Sequence, residues 1–283
     1  MTLSVVIITH NEEANLVRTL KSVGPLVSDG KGEIVVVDSG SIDRTVEIAM
    51  SFGAKVFVET WKGYAAQKNS AIEKAEGDYI FSLDADEQVS SELASEIEQT
   101  VRRQPAIHKV AQRTESGSLM PLYVNGFWIP RRNHFLGKWI KHGGFWPDPK
   151  LRLFRRGKGR FKEASVHETL ELEPSEGAGI TATPRRLRGA LIHHSYPTLA
   201  AYIEHMNRYS SLGAEMVVEK ANGKVRFSVV NIVARPLLTF IYNYVFRLGF
   251  LDGREGLLLH LYHAVYVSWK YAKAWELSRK LPQ

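Results

Sequence analysis

Three carboxylates stand close together in the segment 78–87, which reads DYIFSLDADE. Asp84 and Asp86 are two residues apart, so in an extended backbone their side chains project to the same side. Like charges placed side by side cost free energy unless a positive group lies between them. Mg²⁺ in proteins takes one or two carboxylates together with phosphate oxygens. The segment therefore indicates a site for a divalent cation that carries a diphosphate, and a solvated acidic turn before a helix is the alternative.

The surrounding sequence predicts alternating strands and helices. Continuous β-branched runs are typical of parallel strands that are covered on both faces, and strands alternating with helices of about 10–15 residues indicate βαβ units. We predict strands at 3–8, 33–38, 55–59, 79–83, 150–155 and 191–196. We predict helices at 12–23 (with Asn11 as N-cap), 44–52, 65–76, 90–103, 200–220, 225–251 and 256–280.

Thr9, Asp38 and Asp84 stand at the carboxyl ends of three of the predicted strands. Open α/β sheets bind their ligands at that edge. A nicotinamide dehydrogenase would carry G-x-G-x-x-G in its first strand-to-helix turn. Here that turn reads THNEEA, and the chain has no G-x-x-x-x-G-K-[ST] loop. The sequence thus disfavours both of those nucleotide-binding classes.

Four motifs carry a resemblance to a known family. They are residues 4–12 (SVVIITHNE), 33–45 (EIVVVDSGSIDRT), 63–72 (with Gln67-Lys68-Asn69) and 78–87 (DYIFSLDADE). In this order and spacing they resemble the family 2 glycosyltransferases of the GT-A fold, which use a nucleotide-sugar donor and invert the anomeric centre. The resemblance implies an α/β, Rossmann-like, mostly parallel sheet with helices on both faces, followed here by C-terminal amphipathic helices.

The resemblance also implies a donor site. The implied nucleotide-sugar-binding residues are Thr9, Asn11, Glu12, Asp38, Gln67, Lys68, Asp84, Ala85 and Asp86. The donor would be a UDP-sugar, and Asp84-Ala85-Asp86 would be the DXD element, with Asp86 on Mg²⁺ or Mn²⁺. Some enzymes of this fold complete the metal shell with a downstream histidine. His193 and His194 are the candidates, of which at most one can face the site because neighbours in a strand point opposite ways. We name His194, and a structural, hydrogen-bonded histidine is the alternative.

The middle of the chain is strongly basic. Residues 131–162 carry 11 Lys and Arg against the single acid Asp148, whereas residues 1–104 carry 10 against 17 Asp and Glu. Aromatic rings interleaved with Arg and Lys suit a sugar or phosphosugar, because guanidinium groups bind anionic oxygens in pairs. The predicted acceptor-binding residues are Arg131, Trp146, Arg152 and Arg155. A solvated basic face is the alternative.

An inverting transfer needs one base for the acceptor hydroxyl proton. The base must be a carboxylate distinct from the metal pair. Glu168 is our candidate, because the stretch Val-His-Glu at 166–168 resembles that of the lipopolysaccharide-core branch of the family. Asp148 is the reserve candidate and Glu163 the third, and an ordinary surface role for Glu168 is the alternative.

The C-terminal part is aromatic and basic. Ten of the 29 aromatic residues lie between Phe240 and Trp275, and the longest charge-free runs, 236–246 and 256–269, are shorter than a membrane span. Tyr and Trp are typical of the lipid headgroup level. We predict that these helices lie on a membrane surface, with packing on the catalytic domain or a homo-oligomer interface as the alternative.

These patterns together give an organisation. We predict a catalytic domain at 1–198, with a nucleotide-sugar half (1–104) and an acceptor half (105–198), and a helical region at 199–283 for membrane association or oligomerisation. The chain has no cysteine, which excludes disulfides and zinc-thiolate sites. It also begins directly with a strand-like run, so we expect a cytoplasmic enzyme, peripheral on the inner membrane face.

The resemblance points to transfer of a hexose, for which we expect glucose, onto lipopolysaccharide core or a lipid-linked saccharide. Two other classes stay open. One is a catalytically silent membrane scaffold, and the other is a nucleic-acid-binding protein that uses the block 131–162. No nucleic-acid motif supports the latter, so we expect no nucleic-acid partner.

Overall fold

The computed structural model describes residues 1–102, 124–162, 168–173 and 184–280, together with the backbone of two strands at 110–113 and 119–122. The described residues form two compact units. The first comprises those within 1–131, 149–164 and 168–193, and the second comprises those within 132–148 and 194–283. The predicted boundary at residue 198 thus differs from these units, because the segment 132–148 groups with the C-terminal helices.

The elements follow one another in a βα-alternating order at the start of the chain. The strands are β1 (Leu3–Thr9), β2 (Gly32–Asp38), β3 (Lys55–Val58), β4 (Tyr79–Asp84), β5 (Glu87–Val89), β6 (Val110–Arg113), β7 (Leu119–Leu122), β8 (Gly126–Ile129), β9 (Arg131–Phe135), β10 (Lys138–Trp139), β11 (Lys150–Arg155), β12 (Gly159–Lys162), β13 (Thr169–Leu172), β14 (Arg185–Arg186) and β15 (Leu191–Tyr196). The helices are α1 (Glu13–Val27), α2 (Thr45–Ser51), α3 (Tyr64–Glu73), α4 (Ser91–Arg102), α5 (Leu199–Lys220), α6 (Arg235–Ile241) and α7 (Gly253–Lys280).

A seven-stranded sheet in the order β14-β8-β11-β4-β1-β2-β3 forms the centre of the first unit. Strand β1 pairs in parallel with β2 and β4, β2 pairs in parallel with β3, and β11 runs antiparallel to both β4 and β8. The α/β class with a mostly parallel sheet, predicted from the sequence, is confirmed. The carboxyl ends of β1, β2 and β4 lie side by side, because Thr9 is in register with Asp38 and Ile8 with Asp84.

Alternating side chains of the central strands pack on opposite faces of this sheet. On one face, Val5 and Ile7 of β1 belong to a cluster with the apolar residues of α1 and α4. On the other face, Val6 of β1 belongs to a cluster with Ala65 and Ala71 of α3. Burial of both faces explains why the strand sequences are continuous apolar runs rather than alternating ones.

Two helix predictions are wrong in their details. Asn11 does not cap α1: it has a left-handed backbone (φ 55°), and the N-cap position belongs to Glu12. The region 225–251 is not one continuous helix. Its helical part begins with a π-helical turn at Val230–Ala234, passes through the short α6 and a second π-helical turn at Tyr242–Phe246, and is followed by a 3₁₀ turn at Gly249–Asp252.

The second unit is built on helices. Tyr202 of α5 and Leu259 of α7 share a buried cluster with Phe135 and Ile140 from the β9–β10 hairpin and its exit. The buried carboxylate of Asp252 accepts hydrogen bonds from the backbone N–H groups of Lys141 and His142, which ties the 3₁₀ turn to the segment after the hairpin.

A buried histidine makes the stability of the second unit depend on pH. The side chain of His260 is 1% exposed, and neither ring nitrogen has a hydrogen-bond partner among the described residues. Burial lowers the pKa of His260 to about 4, assisted by the nearby His263 and Arg247 and opposed by Asp252. The folded state therefore holds His260 uncharged over a pH range in which the unfolded chain binds a proton.

We predict that the free energy of unfolding falls as the pH drops from about 6.5 to 4, by on the order of 3 kcal/mol from this histidine. Urea unfolding at a series of pH values measures the slope. His260→Leu should flatten the slope in this window, whereas His10→Leu, at an exposed position, should leave it unchanged. An unchanged slope in His260→Leu would contradict the assignment.

Candidate functional site

The ends of β1 and β2 are joined through Asp38. Its buried carboxylate accepts a hydrogen bond from the hydroxyl of Thr9 (2.7 Å) and further bonds from the backbone N–H groups of Gly40 and Ser41 (2.9 and 2.8 Å). The hydroxyl of Ser41 donates a fourth bond (2.6 Å). Asp38 thus fixes the loop that follows β2, and Thr9 holds it from the neighbouring strand.

Asn11 and Glu12 continue this loop arrangement on the β1 side. The side-chain oxygen of Asn11 accepts a hydrogen bond from the N–H of Ile42 (2.9 Å), so the loops after β1 and β2 hold each other. The carboxylate of Glu12 accepts a bond from Asn15 (2.9 Å). Burial raises the pKa of Glu12, and the negative charges of nearby acids, Asp86 among them, raise it further.

Strand β4 leads into a tight turn, 85–86, and then into β5. The hydroxyl of Thr19 in α1 donates a 2.6 Å hydrogen bond to the carbonyl oxygen of Ala85, which fixes the turn against the helix. The carboxylates of Asp84, Asp86 and Glu87 then reach different partners. The sequence predicted that these carboxylates need positive charge close to them. In the structure, basic side chains of the chain itself supply most of that positive charge.

Asp84 is compensated by two cations. Lys68 of α3 lies 2.8 Å from one carboxylate oxygen, and the guanidinium of Arg152 in β11 contacts the other. Burial alone would raise the pKa of Asp84, but the charges of Arg152 and Lys68 hold it well below its ordinary value. Asp84 is therefore a permanent carboxylate at the end of β4.

Glu87 is fully buried and shares the same guanidinium. Its carboxylate lies 3.1 Å from Arg152 and 3.3 Å from Arg131, and it also accepts a 3.0 Å hydrogen bond from the backbone N–H of Asp84. Arg131 and Arg152 were predicted to bind the acceptor, and in this structure both are engaged with the acidic turn. Burial raises the pKa of the Tyr79 phenol, and Arg155, which is in register with Tyr79 at the end of β11, partly opposes that rise.

Asp86 faces His193. The ring Nε2 of His193 lies 3.2 Å from a carboxylate oxygen of Asp86, because β15 pairs with β5 in the register that brings His193 opposite Glu87. Burial raises the pKa of Asp86, but its contact with His193 lowers it below the ordinary value overall. The neighbouring His194, named from the sequence, lies in the second unit with its ring 5.4 Å from that of His134.

The residues present fit a divalent cation held jointly with phosphate oxygens. The carboxylate oxygen of Asp86 and the ring nitrogen of His193 are both donors that such cations accept, and they lie close enough to share one ion. Among the described residues no group of three or more His, Asp and Glu is arranged to hold a metal by itself. A cation here would need ligands from a bound molecule.

Glu168 lies beside the same cation that serves Asp84. Its carboxylate is 2.5 Å from the ammonium of Lys68, whose side chain is 4% exposed and also lies over the ring of Phe161. Lys68 thus bridges the predicted donor-side acid Asp84 and the predicted base. Glu163, the third candidate for the base, lies outside the described residues.

Gln67 has an unusual environment. Its side chain is 0% exposed, and neither its amide nitrogen nor its amide oxygen has a hydrogen-bond partner among the described residues. A buried amide without partners costs free energy, so such groups are rare outside sites that bind water or ligands. Gln67 adjoins Lys68 in α3, where the sequence resemblance predicted nucleotide-sugar contacts.

The second unit contains the remaining predicted residues. The ring of Trp146 packs edge-on against Trp139 at 5.2 Å, and the cationic groups of Arg132 and Lys141 lie over Trp139 at 5.0 and 4.7 Å. The carboxylate of Asp148 accepts a 2.9 Å hydrogen bond from the side-chain amide of Asn133. This aromatic and basic cluster has the composition that was predicted for an acceptor-binding surface.

Sequence reasoning missed Glu87 and did not choose His193. Glu87 stands directly after the DXD element and its burial depends on Arg152, which is distant in sequence. The choice between two adjacent histidines depends on the β15–β5 register. Side-chain alternation along a strand already showed that only one of the two histidines could face the acidic turn. The sequence did not show that β15 pairs with β5, and this pairing decides which histidine it is.

Comparison with known proteins places the chain in a family. The model of glycosyl transferase family 2 matches residues 4–160. The lipopolysaccharide core biosynthesis glycosyltransferase LpsC of Rhizobium meliloti is 30% identical over 97% of this chain and 92% of LpsC. An uncharacterized glycosyltransferase of Rickettsia typhi is 29% identical over 98% of this chain and 88% of its own length. The solved structure of S. aureus TarS 1–349 in complex with UDP covers 96% of this chain and 90% of its own, with 15% identity and a TM-score of 0.45.

The sheet and the acidic strand ends define an α/β enzyme. The chain belongs to glycosyl transferase family 2. The family resemblance stated from four short motifs is thereby confirmed, as is the enzyme class, a nucleotide-sugar-dependent glycosyltransferase.

We predict that Arg152→Met lowers the free energy of unfolding by about 3–5 kcal/mol, because it removes the nearest cation from the fully buried carboxylate of Glu87. Chemical denaturation at neutral pH measures the change. Arg160→Met, at an exposed position of β12, is the matched control and should change stability by less than about 0.5 kcal/mol. Equal changes in the free energy of unfolding for the two substitutions would show that the ion pairs of Arg152 do not stabilise the fold.

Proposed function

We propose that this enzyme transfers a hexose, for which glucose is our candidate, from a UDP-sugar to an acceptor of cell-envelope glycan assembly such as lipopolysaccharide core. The transfer inverts the anomeric centre in a single displacement. We also propose that it takes place in the cytoplasm, at the inner face of the cell membrane. The similarity to a lipopolysaccharide core glycosyltransferase over nearly the whole chain supports the acceptor class.

One observation carries the proposal of a donor site. At the end of β4, the acids Asp84 and Asp86 and the buried cation Lys68 lie in one region of the first unit, and Gln67, whose buried amide has no partner among the described residues, precedes Lys68 in α3. A nucleoside diphosphate offers phosphate oxygens for the ammonium and for a shared cation, and polar groups for the amide. Strand ends of this kind are where open α/β sheets bind nucleotides.

Asp86 and His193 are the residues that would hold Mg²⁺ or Mn²⁺. When bound, the cation supplies neutralisation of the charge that develops on the departing diphosphate. Asp84 is already paired with Lys68 and Arg152, so its contribution is to position Lys68. This division assigns the two aspartates of the DXD element different tasks.

Glu168 is the proposed base. Its carboxylate accepts the proton of the acceptor hydroxyl as that oxygen forms a bond with the anomeric carbon, and the bond from this carbon to the UDP oxygen breaks. Lys68, at 2.5 Å, holds the carboxylate in place. Asp148 remains the reserve candidate for this role.

The cluster of Trp139, Trp146, Arg132 and Lys141 supports an anionic saccharide as the acceptor. Aromatic rings stack on the apolar faces of sugars, while the cations attract phosphate groups. A phosphorylated sugar of the lipopolysaccharide inner core, or a lipid-linked saccharide, has this chemistry. No nucleic acid is required to explain the basic block.

Calorimetry with a panel of sugar nucleotides, with and without Mn²⁺ or Mg²⁺, tests the donor. We expect UDP and one UDP-hexose to bind, with affinity raised by the cation, and we expect Asp86→Asn to lose most of that cation-dependent gain. A stronger response to a guanine or adenine nucleotide would overturn the donor assignment. Slow hydrolysis of the bound UDP-sugar would exclude the silent-scaffold alternative.

We predict that Glu168→Gln lowers the transfer rate by about 10²–10⁴-fold while UDP still binds at least as tightly as to the wild type, because the substitution removes a proton acceptor and a charge that competes for Lys68 but leaves a group of equal size. Single-turnover transfer with radiolabelled donor measures the rate. Glu171→Gln, at an exposed position of β13, the strand that begins directly after Glu168, is the control and should transfer at the wild-type rate. Near-normal transfer by Glu168→Gln would move the role to Asp148.

A further inference from the structure

The segment 227–251 of the second unit exposes an unusual amount of apolar surface. Of the 21 large hydrophobic side chains that are exposed among the described residues, 12 lie in these 25 positions. This apolar face consists of Phe227, Val229, Val230, Val233, Leu237, Leu238, Tyr242, Val245, Phe246, Leu248, Phe250 and Leu251. Patches of this kind on a protein surface mark sites of interaction with another protein or with lipid.

Several contacts fix this segment to α7. The hydroxyl of Ser268 donates a 2.8 Å hydrogen bond to the carbonyl oxygen of Ile232, inside the first π-helical turn. Phe227 packs edge-on against Trp275 at 5.1 Å, and Arg235 donates a 3.1 Å bond to the hydroxyl of Tyr271. The apolar face is therefore presented by an anchored segment, and the wide turns on both sides of α6 are a form often found at functional sites.

A cavity of about 480 Å³ opens on this face. Its lining combines the apolar side chains of Val230 and Leu238 with the guanidinium-bearing Arg235, the polar Thr239 and Asn243, and the ring of Tyr242. An apolar recess with a cation at its rim suits an amphiphile whose headgroup is anionic.

The charges around the face have one sign. Residues 220–251 contain five basic residues and no Asp or Glu. The basic residues are Lys220, Lys224, Arg226, Arg235 and Arg247. Anionic lipids attract such clusters by about 1 kcal/mol per Lys or Arg near the surface, and interfacial helices combine this attraction with apolar insertion.

We propose that the apolar face docks on the surface of a bilayer that contains anionic phospholipids, with an acyl chain or headgroup entering the recess beside Arg235. Among the described residues, no helix is both long enough and apolar enough to cross a membrane, so the segment lies on the bilayer. A symmetric dimer through this face is disfavoured, because a two-fold interface presents the same patch on both sides and would bring basic residues against basic residues. Lipid binding through this face requires neither a donor nor an acceptor. Only the idea that the acceptor is carried by a lipid rests on the proposed function.

Flotation of the full-length protein with vesicles tests the proposal directly. The vesicles are pure phosphatidylcholine or phosphatidylcholine with 30% phosphatidylglycerol, an experimental composition of about one anionic lipid in three. We expect binding to the anionic vesicles that weakens as salt is raised, and at least tenfold weaker binding to the neutral ones. No flotation with anionic vesicles overturns the proposal.

Two double variants separate the apolar and the electrostatic contributions. Leu238→Ser with Phe246→Ser removes two of the most exposed side chains of the face and should weaken binding at least tenfold on anionic vesicles. Lys224→Gln with Arg226→Gln should weaken it about thirtyfold and make it less sensitive to salt. Wild-type binding by both variants would place any lipid contact elsewhere and overturn the proposal.

Matched controls lie in the first unit. Met50→Ser removes an exposed apolar side chain, and Lys21→Gln with Arg102→Gln removes two exposed charges, so both should bind vesicles as the wild type does. Thermal unfolding should show that all variants are folded. UDP binding should be unchanged in all of them, so loss of lipid binding with intact UDP binding separates this inference from the donor site. A concentration-dependent dimer that Leu238→Ser with Phe246→Ser dissociates would instead assign the face to a second copy of the chain.

Discussion

The buried ion pair between Arg152 and the two acids of the β4–β5 turn is the constraint on which the first unit depends. Glu87 is fully buried and Asp84 is partly buried at the end of a strand, and taking such charges out of water costs several kcal/mol each unless a cation accompanies them. Arg152 comes from β11, which is antiparallel to β4, so the acids can be buried only when β11 has paired beside β4. The sheet order and the site are therefore specified together.

Lys68 extends this constraint to the proposed chemistry. Its ammonium lies between Asp84 and Glu168, so the acid at the end of β4 and the proposed base share one cation. A phosphate group that approaches Lys68 would compete with both carboxylates. Donor binding and the position of Glu168 would then be linked through a single side chain.

The sequence predicts well what depends on local pattern. The first four strands, the helices between them and the strand-end positions of Thr9, Asp38 and Asp84 follow from apolar periodicity and turn residues. The partners of the acids do not, because Arg152 lies 68 residues from Asp84 and β11 meets β4 only in the folded sheet. His193 depends likewise on strand register, and the interrupted helix in 225–251 depends on packing against α7, which propensity does not report.

The charges of the two ends of the chain differ in a way that bears on the proposed docking. Residues 1–104 carry more acids than bases (17 against 10), whereas residues 201–283 carry more bases than acids (11 against 6). An anionic surface therefore attracts the C-terminal part over distances of about a Debye length. The attraction of these basic residues to anionic lipids would bring the apolar face to the bilayer before any side chain inserts.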